Sequence, residues 1–152
     1  PGRQSALLGQ LHDAEGRPLT GYDIRNTPPF STAYRALLRR NQLKDMWLVR
    51  FGGPRAPVLR LLLEGTEYIR AEGCGASGCA VSHVLVLYSE TERLTYARIT
   101  QNSQPRWIGD PPPELLEALE RVERSGDFSV TSNFTYQSSR STIIGIPPSS
   151  LS

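Results

Sequence analysis

The length and charge of the chain exclude several classes of protein. It has 152 residues, of which 38% are hydrophobic, enough to bury one core and too few for two comfortable domains. Lys and Arg number 17 against 15 Asp and Glu, so the net charge of +2 argues against a nucleic-acid-binding protein. The longest apolar run, residues 84–88, has the length of a strand and falls well short of the roughly 18 to 20 residues that cross a bilayer. The composition predicts a single domain without a membrane span.

The start of the chain and its cysteines indicate export. The sequence begins at Pro1 with neither Met nor a signal-peptide pattern, so we expect that a leader has been removed or left out. The two cysteines, Cys74 and Cys79, lie five positions apart in a Gly-rich stretch. A disulfide would close this small ring in an oxidising compartment, and two free thiols in a loop are the alternative. We predict the disulfide and a periplasmic location.

An irregular arm and an amphipathic helix are predicted first in chain order. Residues 1–29 carry Gly, Pro, Asp and Asn at short intervals without a sustained period, which is typical of an arm. Apolar residues then recur at i, i+4, i+7 and i+8, with Ser31 or Thr32 as a cap and arginines at the C-terminal end. The apolar stripe is Phe30, Tyr34, Leu37 and Leu38, followed by Arg39 and Arg40. This spacing predicts a short helix from Phe30.

Runs rich in β-branched and aromatic residues predict an antiparallel sheet of about five strands. The runs cover residues 46–51, 58–63, 66–71, 81–88 and 94–100, and residues 106–108 are a candidate for a further short strand. Glu64 and Gly65 are predicted to form the tight turn of one hairpin, and residues 89–93 the polar tip of a second.

Asp110 followed by three prolines predicts the start of a second helix, because proline is tolerated in a first turn and Asp can accept from unpaired amides. This helix should end near Arg124, with Gly126 as its stop and a buried stripe of Leu115, Ala118, Leu119 and Val122. Weak alternation over residues 128–146 predicts one or two edge strands. The predicted fold class is α+β: an arm of residues 1–29, a single domain of residues 30–146 with a central antiparallel sheet flanked by two helices, and a flexible tail of residues 147–152.

Candidate catalytic groups are scarce. His12 lies in the predicted arm and His83 in a predicted strand, so Cys79 with His83, four positions apart, is the sharpest enzymatic alternative. Cys74 argues against this pair, because it can form a disulfide with Cys79 and so remove the thiol. A metal site is not indicated, because the two Cys and one His lack a fourth ligand at any usual spacing. A nucleotide site is not indicated either, because the glycines near the cysteines lack a phosphate-loop Lys. A glycosidase would need a deep cleft around Glu90 and Glu92. We predict a non-enzyme without metal or cofactor.

Between about Thr32 and Leu119 the order of residues resembles the Ivy type of bacterial lysozyme inhibitor, a periplasmic family. The matching pieces are AYRALL at 33–38, LKDMWLV at 43–49, FGG at 51–53, EGTEY at 64–68, VLVLYSE at 84–90 and RWI at 106–108, with the Cys-x4-Cys loop between the fourth and the fifth. The resemblance implies inhibition by a disulfide-closed loop that enters the target's cleft, where a loop histidine contacts the catalytic carboxylates. Here Ser77 holds that position, and a hydroxyl cannot carry a positive charge between two carboxylates.

The predicted function is therefore inhibition, by occlusion, of a peptidoglycan hydrolase. One or both of two elements are predicted to bind the target: the disulfide-closed loop and the neighbouring hairpin tip. The loop residues are Gly75, Ala76, Ser77 and Gly78, and the tip residues are Ser89, Glu90, Thr91, Glu92 and Arg93. A small neutral loop suits a secreted bacterial cell-wall amidase, and by analogy the chain looks like a type VI secretion immunity protein. The alternatives are an inhibitor of animal-type lysozyme, a Cys/His hydrolase, and a structural envelope protein without an enzyme target.

Overall fold

A computed structural model of the protein describes residues 4–125. The strands are β1 (Ala6–Gln10), β2 (Leu59–Leu63), β3 (Thr66–Cys74), β4 (His83–Ser89), β5 (Leu94–Gln101) and β6 (Gln104–Ile108). The helices are α1 (Gly21–Ile24), α2 (Phe30–Arg40), α3 (Trp47–Arg50) and α4 (Pro113–Arg124). All strands form one six-stranded antiparallel sheet in which each pairs with the next along the chain. The α+β prediction is confirmed, with six strands in place of about five.

Tight turns keep consecutive strands adjacent. Glu64 and Gly65 both have positive φ, at 50° and 81°, and connect β2 to β3, as the hairpin prediction requires. Asn102 and Ser103, also at positive φ, connect β5 to β6 in the same way. The long antiparallel pairing of β3 with β4 and of β4 with β5 makes these three strands the rigid centre of the sheet.

Helices cover both faces of the sheet. On one face α1, α2 and α3 pack over β3, β4 and β5 around a cluster of aromatic rings. That cluster contains Phe30, Tyr34, Phe51 and Tyr88, with neighbouring ring centroids between 5.6 and 6.1 Å apart. On the other face α4 packs its predicted stripe of Leu115, Ala118, Leu119 and Val122 against leucines and tyrosines of β2 to β5. Burial on both faces explains why β4 is apolar at nearly every position.

Two sequence-based assignments differ from the structure. Residues 46–51, predicted as a strand, contain the short helix α3, and Phe51, directly after it, has a φ of 50°. Leu48 and Phe51, three positions apart, are both buried, so the tertiary core selects the helical spacing for a short apolar run that fits either period. The segment 1–29, predicted to be irregular, contains β1 and α1; β1 pairs with β2 through an irregular step at Leu7 and Gly9.

The helix caps also differ from the predictions. Ser31 lies inside α2 and is buried, and Pro29 precedes the helix without a side-chain cap, so capping by Ser31 or Thr32 was wrong. Pro112 occupies the cap position of α4, also without a side-chain hydrogen bond, and Asp110 lies two residues earlier with a φ of 58°. The three prolines therefore start α4 through their restricted φ, without the predicted Asp cap.

Some predictions concern residues outside the described range. The edge strands expected over residues 128–146, the tail of residues 147–152 and the stop at Gly126 all lie beyond Ser125. Within residues 4–125, no helix is long and apolar enough to cross a bilayer.

Candidate binding site

The loop between Cys74 and Cys79 is a closed, exposed turn at the end of β3. The predicted disulfide is present, with the two Cα atoms 5.0 Å apart. Backbone bonds close the turn further: the Gly75 amide donates to Ser82 O over 3.0 Å, and the Ser82 amide donates to Gly78 O over 2.8 Å. The residues of the turn from Ala76 to Ala80 are exposed. The disulfide and the backbone bonds thus order the loop, and its residues face solvent.

Small residues let the base of the loop pack tightly against the domain. A Cβ on Gly75 would lie 2.8 Å from Ser82 Cβ and 3.2 Å from the Trp47 ring. One on Gly53, which has a φ of +81°, would lie 2.9 Å from Cys74 Cβ. Gly52 bridges to Cys74, whose amide donates to Gly52 O over 2.9 Å. Glycine is required at these close approaches, so α3 and the segment after it support the loop from one side.

A buried ionic cluster supports the loop from the α4 face of the sheet. Arg70 lies between Glu72, whose carboxylate it contacts, and Glu123 of α4, with Nη2 to Oε2 at 2.9 Å. His83, paired in register with Cys74, has its Nε2 atom 2.9 Å from Glu72 Oε1. Burial alone would raise the pKa of Glu72, but Arg70 and the hydrogen bond from His83 outweigh it and hold this pKa at about 2.

This cluster also bears on the enzymatic alternative. Two acidic neighbours hold the pKa of Arg70 above its ordinary value against the opposing effect of burial, so the guanidinium stays charged. His83 is engaged with Glu72, and Cys79 is bonded to Cys74, so the Cys/His pair suggested by the spacing has no free thiol. The arrangement anchors the end of β3 and β4 and offers no nucleophile.

The hairpin tip after β4 is built differently from the prediction. Glu90, Thr91, Glu92 and Arg93 are exposed, but Ser89 has a relative exposure of 0%. Its hydroxyl accepts from the Glu92 amide at 3.3 Å and lies 3.3 Å from Thr91 Oγ1. Ser89 therefore shapes the turn from inside, and only the four residues after it face solvent.

The loop and the tip, predicted to be neighbours, lie at opposite ends of β4. The loop precedes His83 and the tip follows Ser89, and the six steps of a seven-residue strand span about 20 Å at about 3.3 Å per residue. The two elements therefore cannot enter one narrow cleft together. The tip instead borders an apolar groove of about 470 Å³, with Ile69 and Tyr88 in its lining and Glu67, Glu90 and Thr91 among its polar members.

The sequence patterns did not indicate the contacts that several residues make near the loop. Trp47 was assigned to a strand and Tyr22 and Arg25 to the arm, and Arg55 lies between two predicted strands. The structure places Trp47 against Gly75 and stacks both arginines on the Tyr22 ring. Tyr22 and Arg25 are three positions apart, a spacing that brings two side chains together on one helical turn, and this spacing could have indicated their contact.

Comparison with known proteins gives a distant relative by sequence. No family model matches the chain. A relative from Pseudomonas aeruginosa is 25% identical over 133 residues, covering 75% of this chain and 86% of the relative. That relative is an inhibitor of vertebrate lysozyme, and the chain is similar to it. The similarity extends over most of both chains, so it concerns the domain as a whole and supports the resemblance drawn from the residues.

Proposed function

We propose that the chain binds and blocks a peptidoglycan-degrading enzyme by placing the loop between Cys74 and Cys79 in the target's active-site cleft. The observation that carries the proposal is the form of the loop: a disulfide-closed, exposed turn mounted on the end of the rigid strands β3 and β4. The similarity to an inhibitor of vertebrate lysozyme supports the same class of activity.

The loop is suited to occlusion because little order is lost when it binds. The disulfide and the bonds between Gly75, Gly78 and Ser82 restrict it before any contact, which lowers the entropic cost of docking. Its exposed side chains, on Ala76 and Ser77, are small and uncharged. The Ser77 hydroxyl can donate one hydrogen bond and accept others, so it can meet a catalytic group at the floor of a cleft.

Two targets are proposed for this loop. A neutral loop with a hydroxyl suits a secreted bacterial cell-wall amidase, for which the chain would act as an immunity protein. An animal-type lysozyme is the second candidate, and the similarity to an inhibitor of vertebrate lysozyme favours it. Both targets predict the same inhibitory end of the domain, and they differ only in which enzyme loses activity.

A panel assay tests the proposal and separates the targets. Peptidoglycan hydrolysis by an animal lysozyme and by secreted amidases is measured with increasing amounts of the protein. Ser77→Tyr, on an exposed position, should abolish inhibition by filling the cleft entrance, and Ser77→Ala should weaken it about fivefold through the loss of one hydrogen bond. Thr91→Tyr at the opposite tip is the matched control. Inhibition lost with Thr91→Tyr and kept with Ser77→Tyr would move the site to the tip, and no inhibited enzyme would refute the proposal.

A further inference from the structure

A pair of arginines stacks on one exposed tyrosine near the base of the loop. The guanidinium carbon of Arg25 lies 3.5 Å from the centroid of the Tyr22 ring, and that of Arg55 lies 3.7 Å from it. Tyr22 is 37% exposed and Arg55 is exposed. Arg25 Nη1 donates to Tyr22 O and Arg55 Nη1 to Gly53 O. Stacking shields the faces of the two guanidinium groups and leaves their other N–H groups for further hydrogen bonds.

Contacts with the backbone hold the stack of Tyr22, Arg25 and Arg55 near the disulfide. Arg55 Nη1 donates to Gly53 O over 3.4 Å, and Gly53 packs against Cys74. Gly21, next to Tyr22, lies so close to β3 that an added Cβ would be 2.5 Å from Glu72 O. The charged stack and the uncharged loop therefore belong to one end of the domain and can meet one partner surface together.

The positive charge of the stack is not neutralised within residues 4–125. No carboxylate in that range lies within salt-bridge distance of Arg25 or Arg55, whereas Arg17, Arg60, Arg70, Arg121 and Arg124 all have acidic partners. Asp23, the nearest acidic residue along the chain, accepts from the Thr20 amide and hydroxyl at 2.9 Å as part of the α1 cap. With the guanidinium carbons 3.5 Å and 3.7 Å from one ring centroid, the two cations lie on opposite faces of the ring, at most about 7 Å apart. At this distance they repel each other, and a bound anion relieves that repulsion.

We propose that Tyr22, Arg25 and Arg55 form a preorganised carboxylate-binding site, which pairs with an acidic side chain at the mouth of the target's cleft while the loop enters it. This inference rests on the proposed inhibitory function and adds the chemistry of the partner surface. Guanidinium groups match carboxylates in a bidentate geometry, and groups already held by stacking lose little entropy on binding. The stack supplies the charged contact that the loop between Cys74 and Cys79 does not contain.

The first test compares inhibition constants for the panel enzyme that the unaltered protein inhibits. Arg55→Gln and Arg25→Gln should each weaken inhibition about tenfold, and Arg55→Lys should lose less because it keeps the charge. Arg40→Gln, the same change at the exposed end of α2, should stay within about twofold. Raising the salt concentration should weaken the unaltered protein more than Arg55→Gln. Inhibition by Arg55→Gln and Arg25→Gln within twofold of the unaltered protein would overturn the inference.

A second test needs no enzyme and keeps the inference separable from the proposed function. Glutarate, a small dicarboxylate, is titrated into ¹⁵N-labelled protein while the arginine Nε–H signals are followed by NMR. The signals of Arg25 and Arg55 should move saturably and that of Arg93 should not, and Arg55→Gln should remove the response of Arg25. Equal responses at all three arginines would overturn the site. If no panel enzyme is inhibited, the proposed function fails, and this titration alone decides whether the carboxylate site exists.

Discussion

Replacing Glu72 by Gln should destabilise the fold strongly at neutral pH. The carboxylate of Glu72 is only 14% exposed and accepts from Arg70 and His83. Its pKa falls from the ordinary 4.5 to about 2, which at about 1.36 kcal/mol per tenfold change in proton affinity corresponds to about 3 kcal/mol at pH 7. Because Gln cannot carry the charge, Glu72→Gln should lose about that much free energy of unfolding.

The loss should depend on pH in a defined direction. A carboxyl with a lowered pKa in the folded state stabilises the fold above its unfolded-state pKa, near 4.5, and the contribution disappears as the pH falls toward 2. At pH 3 about 1 kcal/mol should remain, so the difference between the two proteins should shrink by about 2 kcal/mol from pH 7.

Urea unfolding at pH 7 and pH 3, followed by circular dichroism, measures this difference. Glu90→Gln at the exposed tip is the control and should change stability by no more than about 0.5 kcal/mol at either pH. A Glu72→Gln curve that coincides with the unaltered protein at pH 7, or a gap that does not shrink at pH 3, would refute the reasoning.

Three further predictions concern the core and the loop. Leu85→Ala removes a side chain with 0% exposure between β3, β5 and α4, and should lower the urea-derived free energy of unfolding by about 2 to 5 kcal/mol; a loss under 1 kcal/mol would contradict the packing. Tyr34→Phe deletes the hydrogen bond from the buried hydroxyl to Leu48 O at 2.7 Å and should cost about 1 to 2 kcal/mol in the same measurement, so unchanged stability would argue against that bond. Replacing Cys74 and Cys79 together by Ala should lower stability by about 2 kcal/mol, because the closed ring is short, and should reduce inhibition of the target more than twofold at a temperature where both proteins are folded; full inhibition would show that the ring does not preorganise the loop.

The sequence patterns alone identify most of the sheet and its two long helices. β2 to β6 and α2 begin and end within a few residues of the predicted limits, because runs of β-branched and aromatic residues favour strands and the i, i+4 stripe of α2 follows from burying one face of a helix. The short elements were not predicted correctly. Residues 46–51 contain the helix α3 in place of a strand, since a run of six residues fits both periods and burial of Leu48 and Phe51 decides between them.

The sequence by itself determined the chemistry of the candidate site: a five-residue cysteine spacing, a loop without charge, and a scarcity of catalytic bases. Only the tertiary structure decided where these groups lie. The antiparallel course of β4 places the tip about 20 Å from the loop, and the close approach of Gly21 and Gly53 to β3 brings Tyr22 and Arg55, distant in sequence, to the loop end. The physical reason is that local spacing controls which face of a strand or helix is buried, whereas proximity between separate segments depends on how the sheet pairs and on what packs against it.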